Sequence, residues 1–495
     1  MEEVKRIREA KWRWVSVYIS LFGVLSVDNY AVAGLFEKAI GDSEGPSSAT
    51  AISSAGSALE ESLKLDINGF LRSAGFVGRR ASEEVAELKA GYAEAGLKLS
   101  PKFGAYADGF SEVRFTLKVA EFGEASGEPV FDLREAYIVG YFGALDIKAG
   151  HQIIAWGRAD GFNPTNNLTP RDMTVFSADE DDKRLGNFML RMSLTFEPIS
   201  IEGIIVPVYH PAKFPPFTFN SSMIDFSSAP TQVQPLLANM EILMDAPDYP
   251  DAAIENISYA GKISLILPSF DGSISYFRGF APFPGIDGHI DVQNFVSHLI
   301  FKAYREHVAG FDFSTAIGGF LGVRGEAAFI SPDDYERELA APNPSLQYVL
   351  GIDKEMFSNF TLILQYIGKF ICDYNTAFGS VASGAIAPED MMKLMFEQML
   401  FEKNLMISGQ LKEVQHSISA RVGWTMLYET LDFELAGMWN ITTEEWMVRP
   451  MIVYDINDAL NFSVGGELYI GPDETLFGLV DEMISAGFME LKFSF

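Results

Sequence analysis

The chain has 495 residues, of which 48 % are hydrophobic, and a formal net charge of -30 at pH 7. This hydrophobic content excludes an intrinsically disordered chain, and the acidic balance argues against nucleic acid as a partner, because a phosphate-binding surface needs clustered Lys and Arg. The single cysteine, Cys372, excludes an internal disulfide framework and a cysteine-rich metal site. We therefore expect a large folded chain without a cofactor or a bound metal.

The N-terminus has the pattern of an export signal. Five basic residues precede the apolar run WVSVYISLFGVLSV (14–27), and the small residues AVA (31–33) follow at the spacing of a cleavage site. The alternative is a membrane anchor, but the run is shorter than the roughly 20 residues that a spanning helix needs. We expect residues 1–33 to be a signal peptide and residues 34–61, which are rich in Ser, Ala and Gly, to be a flexible periplasmic lead-in.

From residue 62 onward the hydrophobic pattern has a period of two. In EVRFTLKV (112–119), FMLRMSLTF (188–196), LDFELAGMWN (431–440) and LNFSVGGELYI (460–470), apolar and polar residues alternate. Such strands also occur in soluble β-sandwiches, but these segments are about twice the usual five or six residues. Their polar faces carry full charges opposite aromatic-rich faces, as expected when one face meets lipid and the other a watery lumen.

Turn signals divide residues 62–495 into about eighteen strands, with sixteen as the alternative count. We expect the strands to begin near residues 63, 86, 111, 130, 145, 187, 200, 255, 271, 300, 320, 346, 359, 415, 431, 446, 459 and 486. Tight turns alternate with longer loops, as in an outer-membrane barrel. Only 99–110 is long for a turn, and 293–317 fits either one bent strand or two. The sequence thus predicts an all-β fold, a transmembrane antiparallel β-barrel.

The C-terminal segment has the pattern of an apolar, aromatic strand, SAGFMELKFSF (485–495). Soluble proteins usually end in polar tails. Every backbone amide in a bilayer must be paired, and a barrel achieves this by joining its first and last strands. The segment also resembles the signature on which outer-membrane barrel proteins end. This resemblance implies that Leu491, Phe493 and Phe495 form a sorting signal for the barrel assembly machinery.

The densest polar cluster is AGHQIIAWGRADGFNPTNNLTPRD (149–172), where the alternation gives way to a loop rich in Asn and Asp. Together with LREAYI (133–138), GFDFSTAIGGFLGVRGEAAF (310–329) and the C-terminal region, it resembles a family of porin-like bacterial outer-membrane barrels of poorly assigned function. Related porins fold such a loop into the lumen as a constriction. The resemblance implies that four charged residues of this loop line the pore: Arg158, Asp160, Arg171 and Asp172. The alternative is that these charges bond to one another and fix the loop.

Charged residues also lie on the polar faces of the strands. We predict that these too line the pore: Arg114, Arg191, Arg324, Glu326, Arg421 and Glu434. A charged ring inside a pore sets its ion preference, whereas a ladder of salt bridges is the alternative. The acidic run DEDD (179–182) lacks the spaced ligands of a calcium loop, so we expect it in a solvated outer loop near lipopolysaccharide.

Three outer-loop stretches carry Leu, Met and Phe at helical spacing, namely 234–246, 388–403 and 473–484. They fit short helices that pack as a lid or contact lipopolysaccharide. The alternative is an apolar vestibule, because Met-rich surfaces adapt to varied hydrophobic ligands.

The sequence does not indicate an enzyme. The adjacent Ser and His of VSH (296–298) and QHS (415–417) point to opposite faces of a strand and cannot act as a nucleophile and base. Neither a GxSxG nor an HExxH motif is present.

We therefore expect a porin-like channel or transporter for small solutes in the outer membrane of a Gram-negative bacterium, surrounded by outer-membrane lipids and lipopolysaccharide. A conduit for hydrophobic molecules such as fatty acids, sterols or hydrocarbons is the alternative, and a structural or adhesive barrel is a third. The solute, the direction of transport, the ion selectivity and the oligomeric state do not follow from the sequence.

Overall fold

The computed structural model describes residues 63–79, 85–215, 241–294, 296–357, 359–377 and 387–495. The expected signal peptide (1–33) and lead-in (34–61) lie outside these residues, so both stay predictions. Two α-helices occur in the described part, α1 (Pro388–Ile407) and α2 (Leu476–Ile484). No helix in these ranges is both long and apolar enough to cross a bilayer.

The described residues form 22 strands. In chain order they are β1 (Leu63–Arg79), β2 (Ala86–Phe103), β3 (Ala107–Glu121), β4 (Glu124–Ala125), β5 (Pro129–Phe142), β6 (Leu145–Gln152), β7 (Asn187–Phe196), β8 (Ile199–Val206), β9 (Glu241–Met244), β10 (Ser258–Leu267), β11 (Phe270–Phe280), β12 (Gly285–Asp291), β13 (Val296–Lys302), β14 (Arg305–Ile317), β15 (Leu321–Pro332), β16 (Ser345–Met356), β17 (Phe360–Ile371), β18 (Val414–Met426), β19 (Leu431–Asn440), β20 (Glu445–Asn457), β21 (Leu460–Ile470) and β22 (Ala486–Ser494). β4 pairs only with β3, and β9, β12 and β13 form a separate sheet. The other eighteen strands form a closed antiparallel barrel, as predicted.

β1 and β22 close the barrel. They pair antiparallel from Phe70↔Ser494 to Val77↔Gly487. Beyond this ladder the Gly69 N–H donates to the Phe495 carbonyl (2.9 Å), and the Phe495 N–H donates to the Gly69 carbonyl (3.0 Å). A Cβ at position 69 would lie 2.5 Å from the Phe495 ring, so glycine permits this close approach. Each wall strand therefore has two hydrogen-bonded neighbours, as a bilayer requires.

Side chains alternate between the outside and the lumen. In β7 the side chains of Phe188, Met192 and Phe196 are 46 %, 38 % and 57 % exposed on the outside. Arg191 of the same strand points inward and forms an ion pair with Glu202 of β8. Monomeric soluble proteins rarely expose a continuous apolar band, whereas a membrane barrel needs one. The barrel therefore spans a membrane.

The structure decides how the two ambiguous segments, 99–110 and 293–317, are divided into strands and turns. β2 and β3 extend further than their alternating cores, so only residues 104–106 of the segment 99–110 remain as a turn. The segment 293–317 holds two strands, β13 and β14, and only β14 belongs to the wall. The wall strand predicted near residue 300 thus begins at Arg305, because residues 296–302 pair with β12 instead.

The long connections on one side of the barrel carry a small apolar core. There β13 pairs antiparallel with β12 and parallel with β9. α1 buries Met392, Phe396 and Leu400 against this sheet, where they contact Ile286 and Leu299. These contacts place α1 over the sheet in the manner of a lid.

Two of the three predicted helices are confirmed. α1 covers the predicted helix 388–403, and α2 lies within 473–484. The helix predicted over 234–246 is wrong for residues 241–244, which form β9, and residues 234–240 lie outside the described part. A short apolar run fits a strand as well as a helix, and here pairing with β13 decides between them.

The alternation in β7 gives a direct test of which face meets lipid. We expect Met192→Arg to reduce the yield of folded barrel sharply, since an Arg near the bilayer midplane costs about 2–4 kcal/mol on the lipid face. Ser193→Arg is the matched control, because Ser193 points inward and pairs in register with Glu202. Heat-modifiable mobility in gel electrophoresis measures the folded fraction. Equal yields of the two variants would contradict the assignment of the faces.

Candidate functional site

The connection between β6 and β7, residues 153–186, folds into the lumen, and we call it the inner loop. Asp160 of this loop forms an ion pair with Arg421 of β18 (3.0 Å). Asp182, further along the loop, contacts Arg72 of β1 (2.6 Å). β18 and β1 are separated by four wall strands. The inner loop is therefore bonded to distant parts of the wall from within, as a constriction would be.

The end of the inner loop before β7, residues 177–183, which we call the tip, is held by arginines of the wall. The Asp182 side chain is buried, with its residue only 8 % exposed. Its carboxylate contacts Arg72 Nη1 (2.6 Å) and Arg114 Nη1 (2.7 Å), and the Ser177 hydroxyl donates to it (2.5 Å). The expectation of a solvated outer loop for 179–182 is therefore wrong. The acidic run faces the lumen because Arg72 of β1 and Arg114 of β3 carry the opposite charge there.

The opposite side of the tip is bonded to β20 and β21. Lys183 Nζ lies 2.9 Å from the Glu467 carboxylate. Arg449 faces two carboxylates, Glu434 at 3.4 Å and Glu180 at 3.7 Å. Only β22 separates β21 from β1, so the tip is bonded along one continuous part of the wall, from β20 to β3.

The beginning of the inner loop is organised around one carboxylate, Glu326 of β15, which is 2 % exposed. It accepts hydrogen bonds from the backbone N–H groups of Arg158 (3.0 Å), Ala159 (3.2 Å) and Thr165 (2.8 Å). The Thr165 hydroxyl donates to it as well (2.8 Å). Gly157 has φ +98°, and a Cβ there would lie 2.5 Å from Glu326 Oε2. The loop chain thus turns tightly against this carboxylate.

An apolar layer lies beneath the same part of the loop. Ile154, Trp156 and Leu168 pack against inward-facing residues of the wall, among them Met189 and Phe277. The Trp156 Nε1–H satisfies its hydrogen bond with a wall carboxylate, that of Glu202 (2.8 Å). This side of the lumen is filled, which leaves the space on the other side of the loop.

A cavity of about 1160 Å³ occupies that space, between the inner loop and the wall from β14 to β22. Its lining includes Asn404 of α1 and Phe477 of α2, both on the side of the long connections. It also includes Asn461 near the start of β21 and Lys492 near the end of β22, both close to the short turns. The cavity therefore extends over most of the height of the barrel.

The structure brings some of the predicted pore residues to this cavity and holds others elsewhere. Four line it, namely Asp160, Arg171, Arg421 and Glu434. The others bind partners in the lumen: Arg114 to Asp182, Arg158 to Asp312, Asp172 to Lys213, Arg191 to Glu202, Arg324 to Asp353, and Glu326 to the inner loop. Arg114, Arg158, Asp172 and Glu326 contact or belong to the inner loop in the manner of the alternative in which the charges fix the loop. Arg191 and Arg324 pair with carboxylates of neighbouring wall strands, in the manner of a salt-bridge ladder. A role in conduction stays a prediction for all of them.

Sequence reasoning missed several residues that line the cavity, including Arg449 and Lys492. Met438, Met447 and Met451 were also missed. A signal was present, because Met447, Arg449 and Met451 alternate with the outward Trp446 and Ile452 in β20. Apolar residues on both faces of a strand hide the period of two, so this strand gave no clear inward face.

Comparison with known proteins gives a likeness in architecture. No protein-family model matches the chain, and no curated protein matches it. Similar solved structures include Acinetobacter baumannii OccAB3, with 10 % identity, a TM-score of 0.47 and coverage of 87 % of this chain and 99 % of that chain. Pseudomonas aeruginosa OpdL has 9 % identity, a TM-score of 0.48 and coverage of 87 % and 98 %. Acinetobacter baumannii OccAB1 has 7 % identity, a TM-score of 0.49 and coverage of 87 % and 96 %.

At these low identities and TM-scores the likeness supports no transfer of function. The porin-like architecture that the sequence motifs implied rests instead on this chain's own residues. In the described ranges, eighteen strands close into a barrel and a long loop folds into its lumen.

Proposed function

We propose that the protein is a porin-like channel that lets small solutes cross the outer membrane of a Gram-negative bacterium. The observation that supports this most is the cavity of about 1160 Å³ along the lumen. It is lined by residues from the outer-loop helices down to the turn ends of β21 and β22. A purely structural barrel, with its lumen filled by side chains and its outer end covered by a lid, would need no such space along the axis.

The chemistry of the cavity also favours passage through water. Its lining contains Arg171, Arg421 and Arg449 as well as the carboxylates of Asp160 and Glu434. Charged groups at a pore wall need solvent or partners, and a watery lumen supplies both while setting ion preference. The proposal involves no catalytic step and no bound cofactor.

The outer surface of the barrel supports a proposal about the molecules that surround the protein. The exposed apolar side chains of the wall would contact outer-membrane lipids, and the loops on the long side would contact lipopolysaccharide. Leu491, Phe493 and Phe495 are all exposed on the outside of the barrel. That position would let them serve the barrel assembly machinery as a sorting signal before the barrel closes.

Recording in a planar lipid bilayer tests the proposal. Purified full-length protein should produce discrete conductance steps, because the cavity is lined by residues near both ends of the lumen. Bilayers containing heat-unfolded protein provide the control for leakage. The absence of steps with verified folded barrel would overturn the channel function and favour a conduit for hydrophobic molecules or a structural or adhesive barrel.

The terminal residue provides a further prediction about assembly. We expect Phe495→Asp to slow insertion, because the aromatic ring is lost from the lipid side and a charge is placed there. The Gly69–Phe495 backbone hydrogen bonds remain possible in this variant, so the effect reports on the side chain. Pulse-chase measurement of heat-modifiable barrel is the assay, with Phe495→Tyr as the control. Unchanged assembly of Phe495→Asp would contradict the sorting role.

A further inference from the structure

We infer that the channel selects small amphipathic solutes of no net charge, whose apolar body moves along one wall of the cavity. This inference rests on the proposed channel function and names the class of solute. It depends on an apolar strip in the lumen and on the charges beside it.

The apolar strip is formed by inward side chains of β19, β20 and β21. Its members, all of which line the cavity, are Met438, Met447, Met451, Val453 and Tyr469. Met438 and Met447 are direct partners in register, and Met447 is also the partner of Tyr469. The lumen face of a membrane barrel is normally polar. Five largely apolar side chains on that face therefore need an explanation.

The strip follows the direction of transport. β20 begins at Glu445, on the side of the barrel that carries the long connections, and ends at Asn457, on the side of the short turns. Met447 and Val453 are thus separated by about 20 Å along the strand at roughly 3.3 Å per residue. At the outer end the Tyr469 ring lies 5.1 Å from the ring of Phe477 in α2. The strip thus has an outer part beside Phe477, formed by Met438, Met447 and Tyr469, and a lower part formed by Met451 and Val453. Arg449 lies between the two parts on the inward face of β20.

Packing explains only part of the strip, because Tyr469 is buried and Met451 packs against the cluster that contains Phe76 and Phe488. Elsewhere in the lumen, apolar residues of the wall are covered by the inner loop, and Met189 and Phe277 are 0 % and 4 % exposed as a result. Met438, Met447 and Val453 remain half-buried at the cavity surface. Unbranched, polarizable Met side chains adapt to apolar groups of different shape. The strip is suited to transient contact with a passing solute.

The charges beside the strip indicate the polar part of the solute. Arg421 lies 3.0 Å from Asp160 and 3.7 Å from Glu434, and Arg449 lies 3.4 Å from Glu434. Each guanidinium of this group already faces a carboxylate. A solute with one net charge would be attracted by one of these side chains and repelled by its neighbour. A zwitterionic end group can contact a guanidinium and a carboxylate at the same time. Net charge is therefore a weaker basis for selection here than the apolar body.

Two zwitterions of similar size, leucine and asparagine, separate these contributions. In a swelling assay with proteoliposomes containing the full chain, we expect leucine to enter several-fold faster than asparagine. The double variant Met447→Ser/Met451→Ser should lose most of this difference. Met192→Ser is the matched control, because it makes the same substitution on the lipid side, and it should keep the difference.

The outcomes separate the inference from the proposed function. Equal entry of leucine and asparagine into wild-type proteoliposomes that also conduct ions would overturn the inference and leave the channel intact. A preference for leucine that persists in a folded double variant would also overturn it. The absence of both solute entry and ion conductance would overturn the channel function itself. The comparison within the wild type needs no variant to fold.

Discussion

Replacing Asp182 with asparagine is expected to release the tip of the inner loop and to raise the single-channel conductance. The carboxylate of Asp182 is shared by Arg72 and Arg114, at 2.6 Å and 2.7 Å. Removing one partner of a buried ion pair costs about 3–5 kcal/mol, because the remaining charge is left buried and uncompensated. In Asp182→Asn the two guanidinium groups lose one counter-charge. Arg72 keeps Glu94 (2.9 Å) and Arg114 keeps Glu112 (2.7 Å), so the cost should be smaller than for a charge left without any partner. The tip should then leave its position beside β1 and β3 for a substantial part of the time.

The neighbouring carboxylate provides the control. Asp181 has a side chain that is 70 % exposed and forms an ion pair with Arg184, three residues further along the chain. Asp181→Asn removes the same charge from a residue that also lines the cavity but leaves the Asp182 pairs intact. It should keep the protease resistance of the wild type and change the conductance less than Asp182→Asn. Planar bilayer recording measures the conductance, and limited proteolysis reports cleavage near the tip. Identical conductance and protease resistance in both variants would show that the Asp182 pairs do not hold the loop.

The same pairs predict how the loop responds to acid. Burial alone would raise the pKa of Asp182, but the guanidinium groups of Arg72 and Arg114 outweigh it and hold that pKa well below its usual range. A depressed pKa contributes stability that is complete above the unfolded value of about 4 and is lost as the pH falls toward the folded value. We therefore expect the wild-type conductance to stay constant between about pH 5 and 7. It should rise only under more acidic conditions, and this rise should be absent from Asp182→Asn.

The wall of the barrel could be predicted because each strand meets a separate, local requirement. A strand such as β7 must turn apolar residues to lipid and polar residues to the lumen, and this constraint appears directly in residues 188–196. Its length and its turns are equally local, so most strand positions followed from alternation. β13 is the instructive exception. Its residues have strand character, but their partner is β12 in the outer sheet, and alternation does not indicate a partner.

The interior could not be predicted in the same way, because its contacts join distant parts of the chain. Arg72 and Asp182 are 110 residues apart, and Thr165 and Glu326 are 161 residues apart. Alternation places Arg72 and Glu326 on inward faces but does not show which loop residue each one meets. For this reason the acidic run 179–182 looked like a solvated loop. Its partners become visible only when the barrel closes and the inner loop enters it.

Glu326→Ala is expected to free the beginning of the inner loop. The carboxylate accepts three backbone N–H groups and the hydroxyl of Thr165, with distances from 2.8 to 3.2 Å. Each buried donor left without a partner costs about 1–3 kcal/mol. The loss of four bonds should therefore exceed the effect of most single substitutions in the wall. Residues 157–165 should become accessible to protease, and the conductance should rise because this segment borders the cavity.

The conservative variant and a distant glutamate distinguish this role from a general loss of stability. Glu326→Gln keeps one acceptor oxygen and turns an amide toward some of the donors, so its effect should lie between those of the wild type and Glu326→Ala. Glu355→Ala changes an exposed residue near the turn end of β16 and should behave as the wild type. Glu326 and Asp182 hold opposite ends of one loop, so the double variant should conduct more than either single variant. If the double variant conducts no more than Asp182→Asn, Glu326 does not restrain the part of the loop that narrows the cavity.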